Sequence, residues 1–219
     1  MLFHLLSDNH TEHYQKQQQD MIQYPMVAGG TCVLAGDIGS PRRPKYYRDY
    51  LLKLKDQFEH VILVLGNHEF YEMEYDATLE AMEKIANKTG VILMDIELGT
   101  ENITIDGVTI FGSTLWTDFN NNNPVSKFRV GRALNDFHLV ANFDTDRAFD
   151  IYNRTVEKIN WNADLVVTHH MPILREHSKF PIDEITYGFC CTQLEQKITD
   201  SNIKYWFYGH THDNDSYDV

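Results

Sequence analysis

VILVLGNHEF (61–70) decides how this chain reads. Val61 to Leu65 is an unbroken apolar run of about one strand length. A run that does not alternate suits a strand buried on both faces, as in a parallel sheet covered by helices. Gly66 ends the run, and three polar side chains follow at once: Asn67, His68 and Glu69. The same grammar recurs on both sides. LFHLL (2–6) runs into Ser7-Asp8-Asn9-His10, and TCVLAG (31–36) into Asp37-Ile38-Gly39. A strand over 164–168 runs into His169-His170, and one over 204–208 into Gly209-His210-Thr211-His212.

Between these strands the pattern turns helical. A polar, Gln-rich helix is expected over 12–23. A helix near 43–58 places Tyr47, Tyr50, Leu51, Leu54 and Phe58 on one face, and one over 75–88 does the same with Leu79, Met82, Ile85 and Ala86. Further helices are expected near 146–162 and 190–200. Strand–helix alternation implies an α/β architecture with parallel strands. The segment Ile103 to Ile110 alternates apolar and polar residues around Asp106-Gly107, the signature of a two-residue hairpin, and calls for a second or mixed sheet. Asn120 to Asn123 followed by Pro124 reads as an exposed loop. No internal repeat or linker divides the chain, so residues 1–219 are expected to form one domain.

Composition narrows the function. With 219 residues and 42% hydrophobic content, the chain can bury a substantial core. No apolar run approaches the roughly 18 residues of a membrane span, and the N-terminus has no basic-then-apolar leader pattern. A soluble, cytoplasmic protein with no membrane partner is expected. Cys32, Cys190 and Cys191 make neither a disulfide framework nor a CxxC zinc site and read as core residues. A net charge of −13 offers no footprint for duplex nucleic acid, while bound cations would still admit a small phosphate ligand. No GxSxG nucleophile elbow is present.

Six of the eleven histidines stand just past a strand. In α/β sheets, ligands bind beyond the carboxyl ends of strands, so five strand ends can converge on one crevice. Carboxylate, imidazole and amide oxygen together suit borderline cations. A carboxylate can bridge two ions with its two oxygens. A glycine before Asp37, Asn67 and His210 allows close backbone approach.

The ordered set Asp8-Asn9-His10, Gly36-Asp37, Gly66-Asn67-His68-Glu69, His169 and Gly209-His210-Thr211-His212 resembles the calcineurin-like metallophosphoesterases, and the resemblance runs from residue 2 to 212. GNHEFY (66–71), TLWTDF (114–119) and VVTHHMP (166–172) look like a bacterial and phage branch. The resemblance implies a sandwich of two mixed β-sheets flanked by helices, in α-β-β-α layers. It implies two divalent metal ions, drawn from Mn, Fe, Zn or Ni: Asp8, His10 and His212 on one, Asn67, His169 and His210 on the other, with Asp37 bridging. It implies hydrolysis of a small phosphomono- or phosphodiester by in-line attack of a metal-bridging hydroxide, with His68 beside the leaving group. His170 has no standard family role and reads as structural or as support behind the ligands.

Position 9 is Asn where the family often has an apolar residue. Seven residues follow His212 where family domains usually continue through another strand, so the resemblance implies a sheet short of a neighbour at that edge. Arg42 and Arg43, just past a strand end, are candidate substrate contacts, set against a solvated basic helix start. Two rival readings are a non-catalytic scaffold of the same fold and a nuclease of the same superfamily. A scaffold would be expected to lose ligands that this chain keeps.

Overall fold

The computed structural model describes residues 2–14, 29–175 and 182–219. Four strands, β1 (Phe3–Leu6), β2 (Thr31–Ala35), β3 (His60–Val64) and β4 (Ile92–Met94), pair in parallel in that order. A second sheet runs β5 (Asn102–Ile105), β6 (Val108–Ser113), β7 (Leu165–Thr168) and β8 (Tyr205–Phe207). Its β5–β6 pair is the expected antiparallel hairpin, turned at Asp106-Gly107, and its other pairs are parallel.

The apolar runs have no alternation because both strand faces are covered. In β2, Val33 and Ala35 face the inter-sheet core with Ile62, Val64, Ile110, Leu165 and Val167. Cys32 and Leu34 point the other way, into a cluster with Tyr47, Leu51, Leu54 and Met82 from the helices. Period two along a strand thus splits one continuous run between two cores. Each fully buried Leu, Ile or Val contributes roughly 1.5–3 kcal/mol of transfer free energy.

The helices are α1 (Pro44–Gln57), α2 (Tyr75–Thr89), α3 (Phe119–Asn122), α4 (Pro124–Ala133), α5 (Asp136–Leu139), α6 (Thr145–Lys158) and α7 (Glu195–Thr199). The predicted apolar faces of α1 and α2 are the buried ones. The α-β-β-α sandwich expected from the resemblance is therefore present. Among the described residues, no helix is long and apolar enough to cross a membrane.

Several expectations need correction. Thr11–His13 forms a single 3-10 turn and Tyr14 is extended, so no α-helix starts at 12; residues 15–23 of that expected helix lie outside the described residues. The helix expected over 190–200 is confined to Glu195–Thr199. Cys190 and Cys191 are buried, Cys190 bridges to Met171, and Thr192 donates both its N–H and its hydroxyl to Asp118, which holds the segment out of a helix. The asparagine run is more than a loop. Phe119 to Asn122 make a left-handed turn, tolerable at its three asparagines because Asn accepts positive φ. Asn123 then caps α4 by accepting the Val125 and Ser126 N–H groups, with Pro124 in the first turn. Strand β4 and helices α4 and α5 carry no strong periodic signal and were not expected.

Candidate metal centre

The carboxyl ends of β1, β2 and β3 in one sheet and of β7 and β8 in the other meet at one end of the sandwich. The loops there are laced by backbone hydrogen bonds: Asp8 N–H to Gly36 O at 3.0 Å, His10 N–H to Asp37 O at 2.9 Å, and Gly209 N–H to His169 O at 3.0 Å. Asp8, His10, Asp37, His210 and His212 all have positive φ, between 45° and 70°. Left-handed backbone at non-glycine residues costs about 1–3 kcal/mol each and persists only where its surroundings enforce it. Here it swings each side chain out of the pleat and into a shared crevice. Glycine is required beside it, because a Cβ on Gly66 would overlap the Asp37 carboxylate and one on Gly36 the His169 ring.

Two His/Asp clusters result. One holds Asp8, His10, Asp37 and His212; the other holds Asp37, His169 and His210. In the first, His10 Nε2 lies 3.2 Å from His212 Nε2, and His212 Nε2 lies 3.4 Å from Asp8 Oδ1. In the second, His169 Nε2 lies 3.1 Å from His210 Nδ1 and 2.9 Å from Asn67 Oδ1. Donor atoms bound about 2.0–2.2 Å from one cation stand roughly 3 Å apart, so the donor set fits two divalent ions in both spacing and chemistry.

Asp37 joins the clusters through one oxygen. Its Oδ2 is 3.4 Å from His169 Nε2 and 3.8 Å from His10 Nε2. Its Oδ1 accepts the His68 N–H at 2.9 Å. Oδ2 is therefore the Asp37 oxygen that faces both clusters, while Oδ1 also fixes the His68 backbone.

The electrostatics follow from packing. Burial pushes the Asp37 carboxyl up, but the His169 imidazole more than offsets this and holds it well below the usual carboxylate range. Conversely, burial lowers His169 while the Asp37 charge raises it, to about 10 overall. The Nδ1–H of His169 donates to Ala35 O at 2.8 Å, which leaves Nε2 as the atom facing the cluster. Burial, reinforced by neighbouring imidazoles, takes His210 well below its ordinary value.

His170 is fully buried, 4.4 Å ring to ring from His210 and 5.1 Å from Trp116, and burial pushes it down to about 3. It backs the His210 ring as a neutral imidazole. Arg42 pairs with Glu72, and Arg43 donates to Glu12 O at 2.9 Å. Neither lines the crevice of about 220 Å³, whose walls include Asn67, His68, Tyr71, Leu134, Phe189 and His212.

Sequence reasoning missed three carboxylates. Glu69 is fully buried and accepts N–H bonds from Asp37, Ile38, Gly39 and Gly66, plus the Tyr47 hydroxyl. Burial and the Asp37 charge push its carboxyl up, against these donors. Asp136 accepts the Asn67 Nδ2–H at 2.8 Å and the Tyr71 hydroxyl at 2.6 Å, which turns the Asn67 amide oxygen toward His169. Glu12 lies 3.2 Å from both His10 Nδ1 and His68 Nδ1. Burial raises its carboxyl, but the two imidazoles hold it down at about 2. Glu69 stood in plain view inside the GNHE segment; Glu12 and Asp136 left no signal.

Comparison with known proteins agrees with this geometry. An uncharacterised protein of Acanthamoeba polyphaga mimivirus is 25% identical over 205 residues, spanning 82% of this chain and 70% of that one. The crystal structure of phosphopantetheinyl hydrolase (PptH) from Mycobacterium tuberculosis superposes with a TM-score of 0.70 at 22% identity, covering 96% of this chain and 82% of that one, a likeness of fold. The profile described as calcineurin-like phosphoesterase matches residues 1–214. With that match over nearly its whole length, the chain belongs to the calcineurin-like phosphoesterase family.

Proposed function

We propose that the protein hydrolyses a small phosphate ester at this centre. Asp8, His10 and His212 would hold one cation, Asn67, His169 and His210 the other, and Asp37 both. The observation that carries the reading is the single Asp37 oxygen standing between His169 Nε2 and His10 Nε2. When bound, two such cations supply a nucleophilic hydroxide near neutral pH and polarise the phosphoryl oxygens. Four of the seven donor side chains are imidazoles, which favours Mn, Fe, Zn or Ni over Ca.

The chain's own residues do the rest. Asn67 presents an amide oxygen because Asp136 and Tyr71 take up its Nδ2. His68 lines the crevice outside both clusters, with its ring 4.3 Å from Tyr71. There it can give a proton to the departing oxygen, a contribution of roughly 10²–10⁴-fold for a well-placed acid. The net charge of −13 disfavours duplex nucleic acid, which supports a small ester over a nuclease substrate.

The test pairs elemental analysis of metal-loaded, desalted protein with rates on alkyl and nitrophenyl mono- and diesters. Two ions per chain, with His68→Asn losing far more rate on alkyl than on nitrophenyl esters while keeping both ions, is the expected result. No bound transition metal, or no hydrolysis of any ester by the loaded protein, overturns the reading.

A further inference from the structure

Glu12 belongs to neither of the two clusters, yet it touches both a member of one and the residue beside the leaving group. One oxygen, Oε1, lies 3.2 Å from His10 Nδ1 and 3.2 Å from His68 Nδ1. The side chain is only 16% exposed, and its loop is pinned. Thr11 N–H donates to Ile38 O at 3.0 Å, and Arg43 donates to the carbonyl of Glu12 itself at 2.9 Å. The His10 and His68 rings are 4.3 Å apart and steeply inclined, so a carboxylate in the notch between them reaches one ring nitrogen of each.

An ionised carboxylate only accepts hydrogen bonds. Each imidazole facing it must therefore carry a proton on Nδ1. For His10 this leaves the Nε2 lone pair facing Asp37 and His212. For His68 it leaves Nε2 as the nitrogen available to the crevice. Which ring nitrogen of a histidine binds or transfers a proton is set by the partner of the other.

We propose that Glu12 is a positioning residue that holds the Nδ1–H of both His10 and His68, coupling the orientation of a metal ligand to that of the proton donor. The proposal rests on the phosphoesterase reading for its kinetic consequence but not for its structural one. Arg43 then has a defined place: it acts on the site through the Glu12 backbone rather than through the substrate. His13, with Nε2 3.6 Å from Glu12 Oε1, is 69% exposed and completes a potential third ligand group, the competing use of the same carboxylate.

The experiment uses the full chain loaded with zinc, which is diamagnetic, and compares wild type with Glu12→Gln and Glu12→Ala. Long-range ¹H–¹⁵N correlation of the histidine rings should place the proton on Nδ1 of His10 and His68 in wild type. In Glu12→Ala the His68 ring should lose that preference, while His10 keeps its Nδ1 proton because zinc would occupy its Nε2. Steady-state rates should fall about 10–100-fold on an alkyl phosphate, the range for losing a residue that orients a ligand, and several-fold less on a nitrophenyl phosphate. Glu12→Gln, which keeps the shape and one acceptor oxygen, should lie between. Added to His68→Asn, Glu12→Ala should cost less on the alkyl ester than it does in wild type, because the share that acts through His68 is already lost.

Three results overturn the proposal: an Nε2 proton on His68 in wild type, a His68 tautomer unchanged in Glu12→Ala, or a third zinc ion per chain that Glu12→Gln removes. If Glu12→Ala does not fold, Glu12→Gln carries the same comparison. Both tautomers as stated, in a wild type that cleaves no ester, would overturn the phosphoesterase reading and leave the Glu12 assignment standing.

Discussion

Glu69 Oε2 accepts the backbone N–H of Asp37 at 2.9 Å, so the last residue of GNHE holds the loop that carries the carboxylate shared by the two clusters. The same side chain takes the Ile38 and Gly66 N–H groups at 2.8 Å and the Tyr47 hydroxyl at 2.9 Å. It thereby ties the end of β2 to the end of β3. Glu69→Gln keeps the volume but brings an N–H₂ against backbone N–H donors. We expect a loss of about 1–3 kcal/mol in chemical denaturation, the cost of leaving buried donors unpaired, and fewer than two ions in elemental analysis. Wild-type stability with full metal would show that the loop holds itself.

Asp136 should act on one cluster only. It orients the Asn67 amide, and Asn67 stands with His169 and His210 rather than with His10. Asp136→Ala frees that amide to flip. We expect about 10–100-fold weaker binding of one ion, as for other partners of metal ligands, with the second ion retained. Titration calorimetry resolving two sites would check this, and equal weakening at both would refute it.

Loading the metal-free protein should release protons. The Asp37 charge raises His169 to about 10, against its burial, so this imidazole is protonated at neutral pH when no cation is present. A bound cation must displace that proton. Zinc affinity should therefore climb from pH 6 to pH 9. Calorimetry in buffers of different ionisation enthalpy should count the proton, and Asp37→Asn should reduce the count. A pH-independent affinity would mean that His169 is already neutral.

Asp95, which does not line the crevice, offers a stability test. Burial pushes its carboxyl from 3.8 up to about 7, opposed by the Glu97 N–H at 2.8 Å. Between those values the folded state holds a proton that the unfolded state has lost, so this group makes stability fall as pH rises from about 4 to about 7. The full drop is on the order of 4 kcal/mol. Asp95→Asn cannot ionise and should gain on wild type across that window, then hold its advantage above it. A melting-temperature difference that is flat from pH 4 to pH 8 would contradict the shift.

Legibility from sequence followed the range of the interactions. The strand ending at Leu65 could be read because burial on both faces leaves an unbroken apolar run. The turn after it could be read because Gly66 must be small where Asp37 passes. The final helix was overextended because Cys190 and Cys191 continue a plausible apolar pattern, while the bonds that hold them out of a helix come from Met171 and Asp118. Arg42 and Arg43, by chain position, were open to both substrate contact and a solvated helix start, and only the structure shows that their partners are Glu72 and Glu12.

By itself, the sequence determined which chemistry was available: carboxylate, amide and imidazole donors, each just past a strand, in an order matching one family. Strand polarity then obliged those donors to gather at one end of the sandwich, because parallel strands carry their carboxyl ends together. Only the tertiary structure decided how the donors are aimed. The left-handed turns at Asp8, His10, Asp37, His210 and His212 are held by hydrogen bonds between loops, not by any residue's own preference. The carboxylates that set ring and amide orientation reach across the chain, from Glu12 to His68 and from Asp136 to Asn67. A contact between residues 56 or 69 positions apart leaves no periodic trace, because it is made only when two independently folded loops are brought together.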